Sequence, residues 1–373
     1  MNSYCALAFN HIYSDFGGNY RLCCHASPYN NPLEKYNSNE HLPFDVFLSR
    51  EYEDVRYKMI SGEMLETCNG CYHLEEIGQK SPRQNYNKNN KILLEPKNVD
   101  VKLRIFGNSC NLSCYMCTAY SSSTRAKELK DIGIHEEWNR WDQAYSVKQS
   151  PKKYDAVINN IIDNIDIIES FHITGGEPFL LPRHYDFLNQ IPENYAQNIS
   201  INYDTNLTHL SYKGKSIFET LKKFKKFSFS VSADHYGEKL SWIRYPINVY
   251  EFEKNLEFVQ SKYNAISDIS CTVSILNIED LDEILPYYEK KFNIKNKGYH
   301  SCVEWPDMLS IKHHPNKNEL IKKYTNFKMD PDKAIISHLK LERSKKQWEK
   351  AIAYLNKLDL HRQTDYRKLW RYE

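Results

Sequence analysis

Cys110, Cys114 and Cys117 place three thiols within eight residues, in the spacing CxxxCxxC. Disulfides consume thiols in pairs, and a structural zinc site usually closes with four ligands. Three soft thiolates suit a metal centre with one coordination position left open. A four-iron, four-sulfur cluster held by three cysteines would keep one iron free for another ligand. A zinc loop is the bland alternative. A second candidate lies at "ITGGEPFLLP" (173–182), where Gly175 and Gly176 let the backbone approach a ligand at φ/ψ values other residues avoid. Taken alone, that stretch also reads as a turn closing a strand.

The elements that must position these residues follow a simple grammar. "VKLRIF" (101–106) reads as a strand, and the three cysteines come just after it. "YDAVINNIIDNI" (154–165) repeats Tyr154, Val157, Ile158, Ile161, Ile162 and Ile165 at helical spacing. "IESFHIT", "ISINY", "FSFSVSA", "ISCTVSI" and "YHSCVEW" read as five further strands, with helical segments between most of them. Such alternation predicts parallel βα units, in an open sheet or part of a barrel. Barrel chemistry sits on the loops after the strands, where the cysteines fall. Near the end, Trp348, Ala351, Ile352, Leu355 and Leu358 share one face of an amphipathic helix. Before residue 98 the chain reads as irregular, and "SPRQNYNKNNK" (81–91) as a polar linker.

On these residues the chain resembles the radical S-adenosylmethionine (SAM) superfamily. "CNLSCYMC" is similar to its CxxxCxΦC signature, with Met116 in the hydrophobic place. The resemblance implies a [4Fe-4S] cluster on Cys110, Cys114 and Cys117 whose open iron chelates SAM. It implies reductive cleavage to a 5′-deoxyadenosyl radical that abstracts a substrate hydrogen. Gly175, Gly176, Glu177 and Pro178 match the family's GGEP motif, in which backbone and acid bind the methionine amino group. Thr205 and Asn206 fall where relatives carry a TNG turn, with Leu207 in place of the glycine; a plain turn is the alternative. Ser230 or Ser232, with Asp234, are candidates for the ribose hydroxyls, and Arg244 for the methionine carboxylate. Asp234 could instead cap the next helix. Asn277 could face the adenosyl group or cap a helix.

Five more cysteines lie in the first hundred residues. Cys5, Gly18 and Cys23 form C-x12-G-x4-C, which resembles the half-motif of the auxiliary-cluster modules called twitch and SPASM domains. "CNGC" adds Cys68 and Cys71, for a second [4Fe-4S] site on Cys5, Cys23, Cys68 and Cys71. Cys24 is an alternative to Cys23. Structural zinc and unligated thiols are the rival readings. In most relatives such a module follows the barrel, whereas a smaller group carries it at the N-terminus; "YLNKLDLHRQTDY" (354–366) also resembles that group. His25 and His73 read as hydrogen bonders, and Cys271 and Cys302 as core.

The expected architecture is therefore α/β. A twitch-like cluster domain (1–98) precedes a partial (β/α)6 TIM-like barrel of the radical SAM type (99–310) and a helical extension (311–373). The expected partners are an electron donor such as flavodoxin or ferredoxin and a peptide or small-molecule substrate. A non-catalytic iron–sulfur or zinc protein is the reading from another class. "MNSYCALAFN" lacks a basic n-region and no run reaches 18 apolar residues, so the expectation is a cytoplasmic chain without membrane spans. Fifty Lys/Arg nearly balance 48 Asp/Glu overall. From Lys312 onward sixteen Lys/Arg face eight Asp/Glu, which reads as a solvated helical face rather than a nucleic-acid surface.

Overall fold

The computed structural model describes residues 3–15, 17–76, 80–89, 94–119, 121–134, 154–331 and 333–370. It falls into two compact units. The first comprises 1–108, 144–204 and 211–227; the second comprises 109–143, 205–210 and 228–373.

In the first unit, β1 (His11–Ser14) pairs antiparallel with β2 (Tyr20–Arg21) and parallel with β3 (Val99–Lys102). β4 (Ile168–Ile173) pairs parallel with β3, and β5 (Ser200–Thr205) parallel with β4. The order is β2-β1-β3-β4-β5. Side chains alternate across this sheet because the strand period is two. Ile12, Val101, Phe171, Ile173, Ile201 and Tyr203 are buried on one side, where Phe171 meets Phe187 of the helix Pro182–Gln190. A small hairpin joins β6 (Ser211–Tyr212) to β7 (Lys215–Ser216). The helix Tyr154–Asp163 buries Tyr154, Val157, Ile158 and Ile161, as its spacing predicts.

The N-terminal stretch is more regular than its composition suggests. The helix Arg50–Ser61 starts on a Ser49 cap, and its buried Arg56 donates to the carbonyls of Ala8 (2.8 Å) and Phe47 (2.7 Å). Residues 82–89 of the expected linker are helical. There Arg83 and Asn87 satisfy the carbonyl of Tyr4, each at 2.8 Å, so polar composition reflects buried hydrogen bonding rather than a free tether.

In the second unit, β8 (Lys226–Ser232) pairs parallel with β9 (Ile266–Ser270), and β10 (Thr272–Val273) parallel with β11 (Ser301–Cys302). The single strand expected over "ISCTVSI" is thus divided, and the expected last strand is only two residues long. The helix Lys345–Arg362 buries Trp348, Ala351, Leu355 and Leu358 against Tyr115, Trp242 and Val303. No helix among the described residues is long and apolar enough to cross a membrane.

Candidate iron–sulfur and cofactor site

The three-cysteine loop belongs to the second unit. Cys117 N donates to Cys114 O (2.9 Å), a tight turn that folds the loop back on itself. Ser122 caps the helix Ser123–Asp131 by accepting from Arg125 N, and its hydroxyl donates to Leu112 O at 2.7 Å. Thr124 Oγ1 donates to Cys110 O. One helix N-terminus therefore fixes the loop's entry. Ser113 N and Tyr115 N donate to the carbonyls of Tyr245 (2.6 Å) and Ile243 (3.0 Å).

Beneath the loop lies a buried ionic clamp. Arg125 donates to the carbonyls of Cys117 (3.2 Å) and Tyr115 (2.9 Å) and pairs with Glu128. Glu128 also accepts from Ser113 Oγ and pairs with Arg362, whose guanidinium reaches the Ser113 carbonyl as well. Burial pushes the Glu128 carboxyl up, but Arg362, Arg125 and Ser113 together hold it down at about 2. None of these residues was singled out from sequence. Arg362 lies within "YLNKLDLHRQTDY", and Ser113 and Tyr115 within "CNLSCYMC".

Polar groups face the thiols. Asn206 Nδ2 lies 3.8 Å from Cys110 Sγ and 3.1 Å from Asn111 Oδ1. Arg244 Nη1 lies 3.9 Å from Cys114 Sγ. Burial raises Cys114 to about 12 against the pull of Arg244, and burial raises Cys117 against Arg125 and Arg244. Binding a soft cation would release those protons, and the nearby guanidiniums favour thiolates. Three thiols on one pinned loop, with cationic and amide donors toward sulfur, fit a three-cysteine cluster. Met116 packs partly buried against the Tyr115 and Trp242 core.

Leu207 keeps a glycine-like backbone at φ +54°, with its N–H bonded to Thr205 Oγ1 at 2.9 Å. The turn geometry thus survives without the glycine. Ser230 donates to Asp268 (3.0 Å), while Ser232 is half-buried two residues further along β8. Asp234 is fully buried; its Oδ2 lies 2.7 Å from Arg244 Nε and its Oδ1 accepts from Thr272 N at 2.8 Å. The helix Gly237–Ile243 takes no side-chain cap, so Asp234 positions Arg244 instead of capping. Burial disfavours the Arg244 cation, but Asp234 and Cys114 outweigh this and raise its pKa. Asn277 is not a cap either: it braces the Ser274 amide (2.8 Å) and the Asp234 and Thr272 carbonyls (3.1 and 3.0 Å).

In the first unit, Gly175 follows β4 at φ +154°, and a Cβ there would stand 3.0 Å from the Gly107 carbonyl oxygen. Gly176 continues the bend. Glu177 is fully buried and caps the turn Pro178–Leu180 by accepting from Phe179 N at 3.3 Å.

Cys5, Cys23, Cys68 and Cys71 line one cavity of this unit, with Met59 and Arg83 beside them. Their mutual effects report their proximity. Burial raises Cys5, Cys23 and Cys68 to about 12; Cys68 and Cys71 push Cys5 further, and Cys23 and Cys71 push Cys68. Cys24 is exposed and absent from the cavity lining, whereas His25 is part of it. Gly18 sits at φ +66°, where a Cβ would come within 2.4 Å of Ser38 Oγ, which accounts for the glycine in the spacing. Among the described residues no three or more His, Cys, Asp or Glu side chains are arranged to hold a single metal ion.

Sequence reading also missed a charged strip on the opposite face of the first unit's sheet from Phe171. His11 Nδ1 lies 2.9 Å from Asp100 Oδ2, and Ser170 donates to Asp100. Lys102 Nζ lies 3.3 Å from His172 Nε2, which is 2.9 Å from Asp204 Oδ1. Burial opposes the Asp204 charge, yet His172 and Lys102 hold its carboxyl well below the usual range. The available signal was the alternation in "HIYS", "VDVK" and "SINYDT", where polar side chains recur every second residue.

Residues 105–287 match the family described as the radical SAM superfamily. The match covers a little under half of the 373 residues. Among solved structures it is similar to native anSMEcpe with bound AdoMet, at 19% identity and a TM-score of 0.41. It is also similar to native anSMEcpe with AdoMet and the Cp18Cys peptide (18%, 0.38) or the Kp18Cys peptide (18%, 0.40). Each likeness covers 61% of this chain, and this chain spans 59% of the length of each of those chains. No curated protein matches.

Proposed function

We propose that this protein binds SAM at a [4Fe-4S] cluster held by Cys110, Cys114 and Cys117 and uses it to modify a peptide or protein residue. The observation that carries the reading is the pinned cysteine loop with Arg244 and Asn206 trained on its sulfurs. When bound, the cluster and SAM supply the 5′-deoxyadenosyl radical that removes a substrate hydrogen. The chain's own residues bind and orient. Gly175, Gly176, Glu177 and Pro178 take the methionine amino end, and Arg244 its carboxylate, held in place by Asp234. Thr205, Asn206 and Ser232 serve the cofactor's polar groups, and Met116 packs beside the loop. Cys5, Cys23, Cys68 and Cys71 hold an auxiliary [4Fe-4S] cluster in a twitch-like segment, ahead of a partial barrel and a helical tail. An electron donor such as flavodoxin or ferredoxin reduces the protein, and the setting is the cytoplasm.

A second reading is modification of a small polar molecule such as a sugar or nucleotide derivative. The charged strip of Asp100, Lys102, His172 and Asp204 supports it, because such a surface suits hydroxyl and ammonium groups.

Iron, sulfide and zinc per chain, with 5′-deoxyadenosine formed under reductant, test the proposal. About eight irons should fall to about four in the triple variant Cys110→Ala, Cys114→Ala, Cys117→Ala, with cleavage abolished. About four irons falling to near zero, with about one zinc, would assign the N-terminal site to zinc. No iron after anaerobic reconstitution would overturn the radical reading.

A further inference from the structure

On the polar face of the first unit's sheet, strand register sets Lys102 of β3 beside His172 of β4 and Asn202 of β5. Asp204 follows two residues along β5, on the same face. The Lys102 side chain is only 16% exposed, yet its ammonium is poorly paired. Its Nζ lies 3.3 and 3.5 Å from the two ring nitrogens of His172. His172 Nε2 lies 2.9 Å from Asp204 Oδ1. An ionised carboxylate only accepts, so Nε2 donates there and Nδ1 is the one ring acceptor left for Lys102. Asp204 Oδ2 stands 3.7 Å from Nζ, beyond hydrogen-bond reach. An ammonium carries three donors, so at least two N–H groups of Lys102 have no acceptor among the described residues. Asp204 Oδ2 has no hydrogen-bond donor among them either. A mostly buried charge in that condition is costly unless a polar group completes it. Asp100, two residues earlier on β3, is already engaged by His11 at 2.9 Å and by Ser170.

Charge decides what can complete it. An anion on Lys102 alone would stand against the Asp204 carboxylate, and a cation on Asp204 alone against the Lys102 ammonium. A ligand with both charges on neighbouring atoms satisfies both groups. The ammonium and carboxylate of an α-amino acid are joined through one carbon, with about 3 Å between N and O, close to the 3.7 Å from Lys102 Nζ to Asp204 Oδ2. The backbone of an internal peptide residue carries neither charge. We propose that Lys102 and Asp204 form a binding site for a free α-amino acid: Lys102 donates to its carboxylate, Asp204 accepts from its ammonium, and His172 holds Asp204 in place. This narrows the small-molecule reading above and rests on it for the chemistry that follows binding.

The test titrates anaerobically reconstituted holoenzyme with each common L-amino acid in turn, by calorimetry. SAM is present to fill the proposed cofactor site, and reductant is omitted. At least one amino acid should bind. Its N-acetyl form and its methyl ester each lack one charge and should bind ~10-fold more weakly. Lys102→Met should weaken the amino acid ~10-fold and leave the methyl ester unchanged, because the ester has no carboxylate to lose. Asp204→Asn should weaken the amino acid similarly and leave the N-acetyl form unchanged. Binding of no amino acid, equal binding of charged and blocked forms, or variants that bind as wild type does would each overturn the proposal. If either variant does not fold, acetylation of Lys102 in the wild type, mapped by mass spectrometry, decides. Protection by the bound amino acid supports the site, and an unchanged rate overturns it. 5′-Deoxyadenosine formed under reductant is measured separately, so failure of the radical reading and failure of the binding site show in different readouts.

Discussion

Arg362 Nε lies 2.6 Å from Glu128 Oε1, in a pair that is almost wholly buried. Through it the last long helix grips the segment that carries Cys110, Cys114 and Cys117, since Arg362 also donates to the Ser113 carbonyl and, at 3.1 Å, to that of Trp242. Two guanidiniums share one carboxylate here, so the clamp depends on Glu128 remaining ionised.

Arg362→Met should therefore damage the loop rather than merely trim the tail. Glu128 keeps Arg125 but loses its second guanidinium, and the Ser113 and Trp242 carbonyls lose their donor, each buried hydrogen bond lost costing ~1–3 kcal/mol. Thermal unfolding should shift downward, and the iron bound by Cys110, Cys114 and Cys117 should fall. A variant with wild-type melting and iron content would show that the clamp is idle.

Glu128 also sets an acid limit. Its carboxyl is held at about 2 in the folded chain against an ordinary 4.5. A depressed folded value contributes stability that is fully present above 4.5 and is lost as pH falls toward 2. Denaturant unfolding between pH 7 and pH 2 should show wild type losing stability in that window. Glu128→Gln should start lower at pH 7 and lose less across the same window. Parallel curves for the two proteins would contradict this.

At the N-terminal site, Cys23 lines the cavity and Cys24 does not. Cys23→Ser should reduce the iron or zinc held there, while Cys24→Ser leaves metal content unchanged. The reverse result in metal analysis would exchange their roles.

Gly18→Ala probes the same site through the backbone. The left-handed φ and the 2.4 Å approach to Ser38 Oγ make a side chain costly there, by ~1–3 kcal/mol. Metal at the N-terminal cysteines should drop while the three-cysteine loop keeps its iron. Equal loss at both sites would point to global unfolding instead.

The sequence by itself determined the chemistry-bearing spacings. CxxxCxxC, GGEP and C-x12-G-x4-C are local, and a turn such as Cys114 to Cys117 closes within a few residues. It also determined the apolar faces of the helices Tyr154–Asp163 and Lys345–Arg362, because a 3.6-residue period is written along the chain. Only the tertiary structure decided that the N-terminal stretch supplies β1 beside β3, across 89 residues between His11 and Asp100. Only it decided that Asp234 serves Arg244 and that Arg362 meets Glu128 across 234 residues. Such pairs leave no local pattern. Their meaning depends on burial, which strengthens each charge contact and penalises each unpaired one, and burial exists only once the whole chain has folded.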